Sequence, residues 1–236
     1  MVFLRTASLR GKFNWKRFYG PVDSFPGEWG EANISSSAFE SVPRELGSLG
    51  IFWHRNRMPN VKTLEEAFEF VESVGICTIF SEKAKGVPSL WDAVDLPERS
   101  AGRTKWGAKV EAVWAWKNEL PEMYPDDIYY GKIPGGHAAL MTMQHLRETH
   151  YAIAHKPIDE CSELAQRVYD IIRLNPNTTG ELRKEAIELY GCTKSRFDTA
   201  LKQLQVTLNI VRSNEPGLSS DTWIPFSEVY LDLVGD

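Results

Sequence analysis

Residues 162–226 carry three helical periodicities in direct succession, closed by two short extended runs around a Gly/Pro loop, and few folds accept that order. Ser162 is an N-cap residue ahead of Leu164, Val168, Ile171 and Ile172, which share one helical face. Asn175, Pro176 and Asn177 break that helix. Thr178 and Glu181 have capping-box spacing and open a second helix, with Leu182, Ala186 and Leu189 expected inward. Gly191 and Cys192 form the turn, glycine being the usual residue just past a helix end. A third helix is expected over 194–205, burying Phe197, Ala200, Leu201 and Leu204. An extended run over 208–213, a polar loop with Asn214, Pro216 and Gly217, and a return strand over 222–226 complete the module.

Three short helices followed by a two-strand hairpin define a winged helix, a helix-turn-helix variant whose third helix can enter the DNA major groove. With the apolar residues inward, Lys194, Ser195, Arg196, Thr199, Lys202 and Gln203 point outward, and Arg212 lies on the first wing strand. Arg and Gln can read base edges, whereas Lys and Ser hold phosphates, so these seven residues are the candidate DNA contacts. Residues 178–213 hold six basic side chains against four acidic ones, a modest surplus that equally suits a protein-contact module.

Upstream, Thr63 and Glu66 form another capping box before Leu64, Ala67, Phe68 and Val71, with Gly75 placed to stop the helix. Residues 76–80 read as a strand and 87–94 as a loop entering a helix. Trp106, Val110, Val113 and Trp114 recur at helical spacing, predicting an aromatic inner face. Residues 128–133 and 137–143, joined by Pro134, Gly135 and Gly136, form the clearest hairpin signal, and 144–154 return to helix. The chain is therefore expected to be α+β and built of tandem winged-helix units, each a helix-turn-helix plus a β-hairpin wing. The expected divisions are an arm and connector at 1–60, a first winged-helix-like core at 61–158 and a second module at 159–236.

Residues 1–19 mix Arg5, Arg10, Lys12, Lys16 and Arg17 with Phe3, Phe13, Trp15, Phe18 and Tyr19 and contain no acid. Such mixtures stack and neutralise single-stranded nucleic acid, and they also serve as solvated terminal arms. The Gly-, Pro- and Ser-rich stretch 20–45 reads as a connector. The whole chain carries a net charge of −5, which argues against strong sequence-blind nucleic-acid binding and leaves room for a local basic face. Its 236 residues include no apolar run of the ~18 residues a membrane span needs, and no signal-peptide pattern opens it, so a cytoplasmic protein is expected. Cys77, Cys161 and Cys192 are odd in number and widely spaced, as buried reduced thiols would be.

Several strings resemble the AlkZ-related proteins: Val74-Gly75-Ile76-Cys77-Thr78-Ile79-Phe80, Pro88-Ser89-Leu90-Trp91-Asp92-Ala93, Trp116-Lys117-Asn118-Glu119-Leu120 and Tyr129-Tyr130-Gly131-Lys132. The run from Arg196 to Gln205, leading into Ile210-Val211-Arg212, belongs with them, and the resemblance covers about residues 63–226. It implies similarity to the AlkZ/YcaQ DNA glycosylases, which stack winged-helix units around duplex DNA and excise alkylated or cross-linked bases. Those enzymes activate water with a Gln-x-Gln or Gln-x-Asp motif just after a helix ending in glycine. Here the counterpart is Thr78-Ile79-Phe80, and Phe80 can neither accept a proton nor stabilise positive charge. No catalytic residue is therefore assigned, and the expected partner is double-stranded DNA, with a protein partner as the alternative. A second reading keeps glycosylase chemistry on a relocated carboxylate among Asp92, Asp95 and Glu98.

Other chemistries lack their residues. His137, His145, His150 and His155 cluster near Cys161, but His145 and His150 are five apart, which misaligns them on a helix, so no metal is expected. Neither Ser89 nor Ser195 sits in a nucleophile elbow, and there is no Gly-x-Gly-x-x-Gly or P-loop, so no cofactor is expected.

Overall fold

The computed structural model describes residues 60–80, 84, 86–98, 107–215 and 220–234, within which six elements occur in one order and then recur in the same order. The upstream set is α1 (Leu64–Val74), β1 (Ile76–Thr78), α2 (Leu90–Ala93), α3 (Ala108–Met123), β2 (Ile128–Lys132) and β3 (Ala138–Thr142). A linking helix follows as α4 (Met143–His145), a π turn (Leu146–His150) and α5 (Tyr151–Ala154). The downstream set is α6 (Glu163–Leu174), β4 (Asn177–Thr178), α7 (Thr179–Tyr190), α8 (Lys194–Val206), β5 (Ile210–Arg212) and β6 (Thr222–Pro225). Two short helices, α9 (Phe226–Val229) and α10 (Leu231–Val234), close the described chain. The basic-aromatic arm 1–19, the connector 20–45 and Trp106 lie outside the described residues.

The fold is α+β, as expected. Each set forms a three-stranded antiparallel sheet with its last strand in the middle, in the orders β1-β3-β2 and β4-β6-β5. In the upstream sheet Ile76 pairs with Met141 and Tyr130 with Leu140; in the downstream sheet Val211 pairs with Ile224 and Asn177 with Trp223.

Local chemistry sets the helix ends. Thr63 Oγ1 accepts from Glu66 N at 3.2 Å while Glu66 Oε2 accepts from Thr63 N at 3.2 Å, a complete capping box. Thr178 caps α7 by accepting from Glu181 N, and Thr193 caps α8 in the same way through Arg196 N. Gly191 ends α7 at φ 61°, a left-handed geometry that a side chain disfavours. Ser162 stands at the N-cap of α6 but its side chain makes no capping bond; its hydroxyl donates to Gln203 Oε1 on α8 at 2.7 Å.

Three apolar clusters fill the interior. One packs α1, β1, α2 and α3 through Val71, Ile79, Leu90, Val113, Leu120 and their neighbours. Another packs α6, α7 and α8 through Val168, Ile172, Leu182, Phe197, Leu204 and Trp223. The third mixes both sets, with Tyr129, Met141 and Leu146 meeting Leu208, Val211, Phe226 and Tyr230. Leu189, expected inward, is 59% exposed. The inner stripe of α7 runs through Leu182 and Ala186 to Tyr190, which packs on the core, and that i, i+4, i+8 line leaves Leu189 outside.

The inner face of α3 also differs from expectation. Val110 and Trp114 are half-buried, and the buried line is Lys109, Val113, Trp116, Lys117 and Leu120. No helix among the described residues is long and apolar enough to cross a membrane.

Candidate nucleic-acid interface

The third helix of the downstream set divides as its periodicity requires. Phe197, Ala200, Leu201 and Leu204 are buried, and Lys194, Ser195, Arg196, Thr199 and Lys202 are exposed. The one acid on the helix, Asp198, is bound by Arg183 of α7, with Nη2 at 2.9 Å and Nε at 3.2 Å. That pairing leaves the outward face of α8 without an unneutralised carboxylate of its own. Ser195, Arg196 and Thr199 line a cleft of about 450 Å³ together with Ser162, Arg167 and Tyr190 from α6 and α7. The Thr199 hydroxyl donates to the Ser195 carbonyl at 2.9 Å.

The remaining candidate residues lie elsewhere. Gln203 is half-buried, and its amide oxygen receives both the backbone N–H and the hydroxyl of Ser162. Its job is to tie α8 to the start of α6. The Lys202 stem crosses the β2–β3 turn, where a β-carbon on Gly136 would come within 3.0 Å of it.

Arg212 is 8% exposed and turned into the seam between the two sets. Its guanidinium lies 4.9 Å from the Tyr130 ring centroid, donates to Asn118 Oδ1 and stands 3.7 Å from Asp221. Its Nε has no hydrogen-bond partner among the described residues.

This seam holds a second cluster that sequence reasoning did not single out. Lys117 is 7% exposed, with Nζ 2.8 Å from Asn118 Oδ1, 4.7 Å from the Trp114 centroid and 5.3 Å from the Tyr130 centroid. Burial pulls its ammonium down to about 8; Asp221 opposes that, and Arg212 and Lys132 reinforce it. Lys132, on the same face of β2 as Tyr130, is also held below its ordinary value, first by burial and then by Lys202. Lys117, Asn118, Tyr130 and Lys132 sit in two strings that carry the family resemblance, 116–120 and 129–132, and those strings were the available signal.

At Thr78-Ile79-Phe80, the strand end to which the resemblance assigns the glycosylase motif, the side chains are packed into the structure. Thr78 is fully buried, its hydroxyl 2.9 Å from the Phe80 carbonyl and 3.3 Å from that of Pro88. Phe80 packs between Trp91 and Trp114, at centroid distances of 5.8 and 6.1 Å. Of the three carboxylates considered, Asp95 pairs with Lys62 at 3.2 Å, Glu98 pairs with Lys109 at 3.2 Å, and Asp92 is exposed on α2. Among the described residues no group of three His, Cys, Asp or Glu side chains is placed to hold a metal. His150 is buried in the π turn, where burial and then His145 push it down to about 4.

The described chain is thus an α+β protein of two three-helix, three-strand sets, with an outward basic third helix in the downstream one. The chain belongs to the AlkZ-related family, whose model matches residues 61–217. No curated protein and no solved structure matches it.

Proposed function

We propose that this protein binds duplex DNA through α8 of a winged-helix module, on a glycosylase-like scaffold that has lost base-excision chemistry. The observation that carries the reading is the charge arrangement on α8. Lys194, Arg196 and Lys202 are exposed, the apolar positions are all inward, and the helix's one acid is neutralised by Arg183. Ser195 and Thr199 flank Arg196 on that face and can accept or donate to phosphate and base edges. Family membership supports the choice of DNA as partner.

The absence of excision chemistry is inferred from the motif position. A general base needs a titratable or strongly polar group within hydrogen-bond reach of the water it activates. Thr78 spends its hydroxyl on backbone carbonyls inside the core, and Phe80 is an apolar ring among tryptophans. Asp95 is held in an exposed ion pair with Lys62, and Glu98 in a part-buried one with Lys109.

Two measurements test the reading. In duplex titrations across salt concentrations, Lys202→Ala should lower the salt slope by about one unit if that lysine meets a phosphate. A Lys194→Ala, Arg196→Ala, Lys202→Ala variant with the wild-type slope removes α8 from the interface. Single-turnover incubation with alkylated and cross-linked duplexes should yield no abasic sites. Robust release that survives Thr78→Ala and disappears with Asp92→Asn or Glu98→Gln would establish the relocated-carboxylate enzyme instead.

A further inference from the structure

The cleft of about 450 Å³ beside α8 brings together side chains from three helices. Arg167 comes from α6, Tyr190 ends α7, and Ser195, Arg196 and Thr199 lie on the first two turns of α8. Its floor is apolar, with Cys192 and Ala200 buried and Leu164 half-buried. Three donors in its walls have no partner among the described residues: the Arg196 guanidinium, the Ser195 hydroxyl and the Tyr190 hydroxyl. The hydroxyls of Thr199 and Ser162 are already spent on the Ser195 carbonyl and on Gln203. Arg167 lies 5.3 Å from the Tyr190 ring centroid and pairs with Glu163, the one acid lining the cleft. That pair cancels, which leaves the cleft with the single positive charge of Arg196.

An apolar floor, hydroxyl walls and one unmatched cation suit a ligand that is part apolar and part anionic. A nucleic-acid strand has that character, since deoxyribose and phosphate alternate along a convex ridge. Position favours the strand over a small anion. The cleft lies along the N-terminal half of α8, and when a helix of this kind enters the major groove the backbone passes at its flank. Lys194, next to Ser195 but outside the cleft, is exposed and unpaired among the described residues, so the positive charge continues past the cleft as a polyanion requires.

We propose that this cleft seats one sugar–phosphate strand of the duplex, Arg196 and Ser195 holding a phosphate and Tyr190 donating from α7. The proposal rests on the duplex reading and deepens it, because Arg196 then acts on the backbone and not on a base edge. Gln203, which could otherwise pair with an adenine, is tied to Ser162.

The test is a titration of the full-length chain with two blunt duplexes of equal length, one A·T-rich and one G·C-rich, across salt concentrations. Arg196→Ala should lower the salt slope by about 0.9 on both and weaken both by the same factor. Tyr190→Phe keeps the ring and should weaken both about tenfold with the slope unchanged, one hydrogen bond to a charged group being lost. Ser195→Asp, which the start of a helix favours, should keep thermal stability and weaken both duplexes more than tenfold by repelling the phosphate. If circular dichroism shows that Ser195→Asp does not fold, Arg196→Ala and Tyr190→Phe decide.

A loss in Arg196→Ala that differs between the two duplexes would make that residue a base reader and overturns the proposal. Wild-type affinity in both Tyr190→Phe and Ser195→Asp overturns it too, and equal competition by polyglutamate would make the cleft an acidic-peptide surface instead. Lys194→Ala and Lys202→Ala, both outside the cleft, decide the duplex reading separately. If they lower the slope while the cleft variants bind as the wild type does, the cleft fails alone. If neither duplex binds, both readings fall.

Discussion

The upstream and downstream sets share element order and sheet order, yet they turn their third helices in opposite electrostatic senses. On α8 the basic residues Lys194, Arg196 and Lys202 face solvent, and the acid is paired off. On α3 the lysines Lys109 and Lys117 face inward, and the exposed positions include Glu111, Glu119 and Glu122. Burial and then Glu122 raise the Glu119 carboxyl above its usual range. An outward acidic helix repels a phosphate backbone, so common connectivity does not give the two helices a common role. The upstream set instead keeps Lys117 buried and Lys132 half-buried at the seam, on the side where β2 meets β5.

This contrast can be broken most severely at the core of α8. Phe197 is fully buried under the Arg183 guanidinium, and Phe197→Ala should destabilise the protein by about 3–5 kcal/mol. A near-neutral denaturation midpoint would mean that the helix register, and with it the outward basic face, is wrong.

A somewhat smaller effect should sharpen the inward placement of α3. The Lys117 ammonium has a folded pKa of about 8 against an ordinary 10.5, so between those values the unfolded chain holds more protons than the folded one. Stability relative to Lys117→Met should therefore rise as pH climbs from 8 to 10.5, by up to about 3 kcal/mol. Below pH 8 the full penalty of the buried charge is present in the wild type. A stability difference independent of pH across that window would place Lys117 in solvent.

The smallest effect concerns the start of the upstream set. Thr63→Ala removes one half of a reciprocal box and should lower stability by about 1 kcal/mol in denaturant unfolding. No change would mean that α1 frays without consequence for the core behind it.

The same contrast explains what the sequence made legible. On α8 the apolar residues alone define the inner face, so period and burial agree at Phe197, Ala200, Leu201 and Leu204. On α3 the inner face includes two lysines, whose apolar stems pack while aromatic rings lie against their ammonium groups, Lys109 also pairing with Glu98. A reading that assigns charge to the surface puts Val110 and Trp114 inside and misses Lys109 and Lys117. Arg212 shows the same limit: a wing arginine reads as a surface cation, and the structure buries it against Asn118 and Tyr130. Hairpins and caps were legible because glycine, proline and hydroxyl residues act within a few positions. The seam joins residues about ninety positions apart, and only the fold brings them together.

The central strand of the downstream sheet, β6, has a consequence for how the chain can be divided. The family match ends at residue 217, before β6 and before Phe226 and Tyr230, whose rings complete the cluster shared with Tyr129 and Met141. A fragment cut at that boundary would leave β4 and β5 as two edges with nothing between them, open to pairing with other chains. It would also uncover the aromatic underside of the β2–β3 hairpin, more than eighty residues upstream. The smallest piece that keeps both sheets and this aromatic cluster whole therefore extends past the match, through Tyr230.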